Sequence, residues 1–223
     1  MRRLQATLLH DFVLQYRNGF YAAAGFVLLC WAALLSQARE LALAPLLAPL
    51  VIGNLILTGF YFVAGLLLLE RDEGTLLALA ITPLRRGERL TAKAISLALL
   101  GLVENALIGL LMVGPSLAGL PFALGCLLAG AIYVLCGAIA VARYDSINAF
   151  LMPSVLYTAL LSLPALAGMA GWQSPLLWLH PLWPPYLLLQ AGTVPAPLGE
   201  LLAAGLVSGL WIVGLGWWAT RSR

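Results

Sequence analysis

The sequence predicts an all-α integral membrane protein with six transmembrane helices, and three observations carry that prediction. Hydrophobic residues make up 62% of the 223 positions and the mean hydropathy is +0.98, whereas about half the residues of a soluble domain are apolar. A hydrocarbon core of ~30 Å takes about 20 apolar residues per helix, so a chain of this length holds about six spans and little else. The apolar runs are continuous stretches of Leu, Ala, Gly and Val, without the apolar–polar alternation of transmembrane β-strands. The expected organisation is one transmembrane domain, 1–223, with an interfacial segment 1–18, a charged loop 70–93 and an uncharged segment 172–199.

Taken in order, residues 2–18 place Leu4, Leu8, Leu9, Phe12 and Tyr16 among Arg3, Thr7, His10, Asp11 and Arg17. This spacing predicts an amphipathic helix in the membrane interface. Polar residues this early are incompatible with a secretory signal core, so insertion is expected to begin with the first span. The spans fall at about 19–36, 46–69, 94–114, 119–142, 148–171 and 200–219. Positive charge orients them. With the N-terminus cytoplasmic, Arg2, Arg3, Arg17, Arg71, Arg85, Arg86, Arg89, Lys93, Arg143, Arg221 and Arg223 lie inside, and Arg39 alone lies outside. Both termini and the 70–93 loop are therefore expected in the cytoplasm.

That loop holds nine of the 21 Asp, Glu, Lys and Arg residues. Gly74 reads as a helix stop and Thr75 as the cap of a short helix to Ile81, ahead of Pro83. Two readings stand: a helix that docks on a partner, or a solvated connection. Residues 172–199 contain no Lys, Arg, Asp or Glu, yet carry Trp172, Trp178, Trp183, Tyr186 and six prolines. Aromatic rings favour the headgroup layer, so one or two short re-entrant helices are expected to cap the bundle here, the alternative being a simple interfacial loop. Phe20, Tyr21, Trp217 and Trp218 read as interface anchors. Gly205 and Gly209 form a small-xxx-small pair that lets helices approach closely.

Candidate polar positions are few. Glu104 lies in mid-span beside Asn105. A charge there costs about 2.5–3.5 kcal/mol, offset by Leu, Ile and Val worth roughly −0.3 to −0.6 kcal/mol each. It is either a substrate or proton contact, or a hydrogen-bonded helix contact. Asn54, Thr58 and Tyr61 recur at helical spacing in the second span, as do Ser154, Thr158 and Ser162 in the fifth. Such stripes either line a pathway or supply interhelical hydrogen bonds. Cys30, Cys126 and Cys136 lie in apolar runs and read as small core residues. His180 lacks the neighbours a metal site needs, and no metal ligands are expected.

Lys93, the only lysine, follows Ala92, so there is no phosphate-binding loop ending in Gly-Lys-Ser/Thr. There is no His-Glu-x-x-His, and two isolated histidines do not assemble a Ser/His/Asp triad. The chain is expected not to be an enzyme, and its basic residues, which flank spans, do not predict nucleic-acid binding.

The run Glu70-Arg71-Asp72-Glu73-Gly74-Thr75-Leu76, then Thr82-Pro83-Leu84, Glu88 and Lys93, resembles the signature between spans two and three of type-2 ABC exporter permeases. Asp145-Ser146-Ile147-Asn148, the Pro164 region and the Pro-rich segment resemble the bacterial fluoroquinolone-export permease subgroup. The resemblance implies the membrane subunit of an exporter in the bacterial cytoplasmic membrane. It would move an amphipathic compound, such as a fluoroquinolone, with a separate ATPase subunit that holds the ATP-Mg; this chain itself needs no cofactor. It implies ATPase-coupling roles for Glu70, Arg71, Glu73, Gly74, Thr75, Leu76, Thr82 and Pro83, with a coupling helix near 75–81, and makes residues 1–18 the connecting helix. It implies pairing with a second permease, a copy or a paralogue, with Asn54, Thr58, Tyr61, Thr158 and Ser162 along the path; Glu104 joins these candidates on its mid-span position alone. The family commonly has Glu or Gln after Gly-Thr-Leu; here Leu77 stands, without a polar group for that contact. Competing expectations are a haem-exporter permease of cytochrome c maturation, an ion-coupled secondary transporter using Glu104, and a non-transporting scaffold.

Overall fold

The computed structural model describes residues 2–37, 43–72, 86–172 and 174–221, and all regular structure among them is helical. Helix α1 (Arg2–Arg17) leads into α2 (Phe20–Gln37) through a tight turn. Gly19 sits there at φ 74°, a left-handed conformation that glycine adopts without Cβ strain. The second span, Ala44–Asp72, comprises α3 (Leu47–Leu55), a π-helical stretch Ile56–Tyr61 and α4 (Phe62–Asp72). Next come α5 (Arg86–Val113), α6 (Gly119–Val141), α7 (Ile147–Leu161) and α8 (Leu163–Met169). A short 3₁₀ turn at Pro175–Leu179 precedes α9 (Trp183–Gln190) and α10 (Leu198–Arg221).

Five of these units are long and apolar enough to cross a bilayer. A sixth is formed by α7 and α8 together, bent by 42°. The third apolar helix begins at Arg86, so its first two turns carry the charged residues that precede the span proper.

Helix α6 is the centre of the bundle, packed against α5, α10, α9, the π stretch and α4. Its glycines explain how closely. A Cβ on Gly137 would stand 2.6 Å from the Phe60 carbonyl, and one on Gly130 would stand 3.2 Å from the Ala98 Cα. Gly59 answers from the second span, where a Cβ would lie 2.7 Å from the Tyr133 Cβ. Backbone meets backbone here, as small residues permit in membrane helices. Phe60, Tyr133, Phe122 and Phe150 are buried around this axis.

By contrast α2 and α7 are peripheral. Helix α2 buries only Ala24 and Leu35, and α7 only Phe150 and Ser154. Helix α9 lies inside one end of the bundle, with Trp183, Pro184, Pro185, Tyr186, Leu188 and Leu189 buried against α6, α10 and α3. Gly205 and Gly209 have open space where a Cβ would project.

Candidate functional site

At the end of the bundle where α4 finishes and α5 begins, three helices are joined by charge. Lys93 Nζ donates to Glu70 Oε1 at 2.6 Å and to Asp11 Oδ1 at 3.0 Å. The three residues are nearly sealed, at 2%, 7% and 3% exposure for Lys93, Glu70 and Asp11. Arg89 Nη2 approaches the other Glu70 oxygen at 4.0 Å. One turn along α1, Gln15 donates to Ser96 Oγ at 2.8 Å. Asp11 and Gln15 are four residues apart on one face of α1, and Lys93 and Ser96 three apart on α5, so two helical periodicities meet in register. Ala92 and Ala94, both buried, keep α5 slim where the other elements approach.

The consequence for α1 is an inverted amphipathic helix. Its protein-facing side is polar, through Asp11 and Gln15, while Leu9, Val13 and Tyr16 are exposed. Burial raises the Asp11 carboxyl above its ordinary range, and the Lys93 ammonium opposes that rise. An ammonium between two carboxylates offsets desolvation only while all three stay in place.

Arg71 is also committed to the chain itself. It donates from Nη1 to the Tyr144 carbonyl at 2.6 Å and from Nη2 to the Ala142 carbonyl at 3.4 Å. It thereby caps the end of α6, whose last carbonyls lack helical partners; Asp145 lies 4.0 Å away. Ser146 then caps α7 by accepting from the Ala149 N–H. Of the residues assigned to ATPase coupling, Glu70 and Arg71 are thus placed inside the base from which residues 73–85 depart. Glu73, Gly74, Thr75, Leu76, Thr82 and Pro83, together with the expected helix near 75–81, lie outside the described residues.

A second polar cluster lies in the membrane-spanning part. Asn54 donates to Asn105 Oδ1 at 3.1 Å, and Asn105 donates to the Gly101 carbonyl at 2.7 Å. Glu104 is buried beside them. Among the described residues neither of its carboxyl oxygens completes a hydrogen bond. Thr58 is buried towards α5, where a Cβ on Gly101 would meet its hydroxyl at 3.3 Å.

Tyr61, however, pairs with Ser154 on α7, at 3.1 Å between hydroxyls. The stripe expected along one face of the second span is therefore divided. The π turn between 56 and 61 takes more residues per turn than an α-helix and rotates Tyr61 away from Asn54. On α7, Thr158 donates to the Ser154 carbonyl and Ser162 to the Thr158 carbonyl.

The bend after α7 has a local cause. Pro164 lacks an N–H, so the Leu160 carbonyl, four residues earlier, loses its helical donor. His180 supplies the missing bond: its Nε2 lies 3.2 Å from the Leu160 oxygen, while Nδ1 accepts from the Leu182 N–H at 3.2 Å. The ring is held in its neutral, Nε2-protonated form, and burial lowers its pKa from the ordinary 6.5. Both nitrogens are occupied, so His180 serves structure.

Sequence reasoning singled out Glu70 and Lys93 but missed their partner Asp11, and with it the Gln15–Ser96 pair alongside. The available signal was the chain's sole lysine at the start of an apolar helix, whose burial calls for a carboxylate partner.

The long apolar helices define a multi-pass membrane protein. The chain belongs to the Fluoroquinolones export permease protein family, whose profile matches residues 2–222. Two relatives carry the name Fluoroquinolones export permease protein, from Mycobacterium tuberculosis strains CDC 1551 / Oshkosh and ATCC 25618 / H37Rv. Each is 32% identical over 193 residues, covering 86% of this chain and 81% of the relative.

Proposed function

We propose that this chain is the membrane subunit of an ATP-driven exporter of amphipathic compounds, with a fluoroquinolone-type drug as the first candidate substrate. ATP hydrolysis resides in a separate subunit, so this chain is not itself an enzyme. The arrangement carrying the reading is the Asp11–Lys93–Glu70 cluster. It fastens both ends of the 73–85 segment to α1, giving that segment a stiff base. A motor that pulls on residues 73–85 moves α1, the second span and α5 together. Glu70 and Arg71 act as positioning residues for this base, and the contacts to the motor come from 73–83. The same reading places both termini in the cytoplasm of a bacterial cell, pairs two permeases, and lets α7, with Thr158 and Ser162, face the partner across the path from Tyr61. Co-expression with a candidate ABC ATPase subunit from the same organism, followed by affinity purification and ATPase assay in nanodiscs, tests it. The expected result is a stable complex whose ATPase is stimulated by the permease. An ATPase that neither co-purifies nor responds overturns the reading.

One observation favours a second mechanism, an ion-coupled transporter: Glu104 is buried and, among the described residues, neither carboxyl oxygen has a hydrogen-bond partner. Its substitution Glu104→Gln separates the two. ATP-driven export persists in the variant if the carboxyl is structural, whereas proton-driven uptake in ATP-free vesicles disappears if Glu104 carries the proton.

A further inference from the structure

The end of the bundle opposite the Lys93 cluster holds a cavity of about 470 Å³ that the transport reading does not use. Its walls include the indoles of Trp172, Trp178 and Trp183, the Leu187 side chain, Gln190 and Glu200. A volume of this size admits a small organic molecule, since ligand cavities run from about 300 to 1,000 Å³. The rings are unequal. Trp172 stands in the open at 62% exposure, Trp178 is half-buried, and Trp183 is buried and stacked on Tyr186 at 5.5 Å between centroids. Gln190 donates to the Tyr186 hydroxyl at 3.1 Å, which leaves its carbonyl oxygen free to accept.

The electrostatics are one-sided. Between residues 146 and 220 the sequence contains a single Asp, Glu, Lys or Arg, and it is Glu200. Its carboxylate makes no hydrogen bond or ion pair with another described residue. An acid in the first turn of α10 is favoured by the helix N-terminus, and exposed tryptophans anchor interfaces. Neither explains why three tryptophans line one cavity with Glu200, the one acid among the described residues at this end. A carboxylate amid aromatic faces suits a cation that is weakly hydrated and apolar in body. An anion is repelled, a neutral molecule leaves Glu200 uncompensated, and a metal ion would find only one carboxylate.

We propose that this cavity binds a monocationic organic amine with an apolar body, its charged nitrogen against Glu200 and the Trp178 and Trp183 rings. The ligand is either the passenger leaving the path or an amine taken from the surrounding medium; the recognition chemistry is the same. The site stands apart from the ATPase partnership and is tested without it.

The test is equilibrium binding of radiolabelled benzyltrimethylammonium to the full chain in nanodiscs, with its uncharged carbon isostere, 2,2-dimethyl-1-phenylpropane, as competitor. Saturable binding that the isostere does not displace is expected. Glu200→Gln should weaken it about fivefold to tenfold, as expected for loss of a charged partner. Trp178→Leu should weaken it about fivefold while Trp178→Phe retains most of the affinity, since a ring face is what the cation needs. Each variant is first checked for an unchanged size-exclusion profile. Equal displacement by the isostere, or wild-type affinity in both Glu200→Gln and Trp178→Leu, overturns the proposal and leaves the exporter reading intact. In vesicles bearing the full complex, ATP-dependent accumulation of the label identifies the ligand as passenger, and binding without accumulation identifies it as an amine of the medium; both outcomes support the site.

Discussion

Replacing Lys93 with methionine keeps the length and apolar stem of the side chain and removes only its charge. What remains is two carboxylates, Asp11 and Glu70, that had shared one ammonium at 3.0 and 2.6 Å, with Arg89 4.0 Å from Glu70 as a remaining cation. Removing one member of a buried ion cluster costs about 3–5 kcal/mol, and Arg89 places this case near 3 kcal/mol. On a scale of about 2–4 °C per kcal/mol for a chain of this size, the Tm should fall by about 6–12 °C.

The pH dependence has a definite sign. Burial already raises the Asp11 pKa, and Lys93, ahead of His10, opposes that rise, so Lys93→Met raises it further. A carboxyl whose folded pKa exceeds its unfolded value destabilises the fold when ionised. That penalty is absent below the unfolded value near 3.8 and complete above the folded one. The Tm deficit of Lys93→Met should therefore be smaller at pH 5 than at pH 8, and adding Asp11→Asn should restore at least about 1 kcal/mol, a coupling expected between residues in contact. Fluorescence-detected size-exclusion melting curves in detergent at both pH values measure this. A pH-independent deficit of under about 1 kcal/mol, with no rescue by Asp11→Asn, would refute the reasoning that the cluster is a buried ionic joint.

Two other positions offer independent checks. His180→Ala leaves the Leu160 carbonyl without its donor and should cost about 1–2 kcal/mol. Because the folded pKa of His180 lies below its ordinary 6.5, its contribution is complete above that value and is lost as pH falls from there, a slope that the alanine variant should lack in the same melting assay. Gly137→Ala drives a methyl to 2.6 Å from the Phe60 carbonyl and should cost about 1–3 kcal/mol. Gly205→Ala, where a Cβ meets nothing within 4 Å, should leave the melting temperature of the isolated chain unchanged or higher.

Span positions and helix class were legible because hydrophobic run length is a local, strong signal. The break in the fifth span was half legible. Pro164 stands in plain view, yet its consequence depends on His180 arriving from 16 residues later in the sequence. The π stretch at Ile56–Tyr61 carried no local mark, because its close neighbours are distant in sequence: Gly59 lies against Tyr133, and Phe60 against Gly137. Likewise Asp11 reads locally as one polar residue among several on a surface helix. Its pairing with Lys93, 82 positions away, emerges only when α1 is laid against α5. Sequence periodicity assigns faces; it does not say that the inward face of an amphipathic helix is the polar one.

The wide turn in the second span ties together two regions that never touch. An α-helix advances about 100° per residue, and the π turn fits more residues into each turn, so winding the same residues 56–61 as ordinary α-helix would swing everything from Phe62 to Asp72 about its axis by roughly one residue's advance. Glu70 would then point away from Lys93, and Arg71 away from the end of α6. The azimuth of the charged terminus is thus written 9 to 14 residues upstream of Glu70, deep among apolar side chains, and a one-codon deletion within 56–61, which returns the turn to α winding, should leave the ionic joint in place.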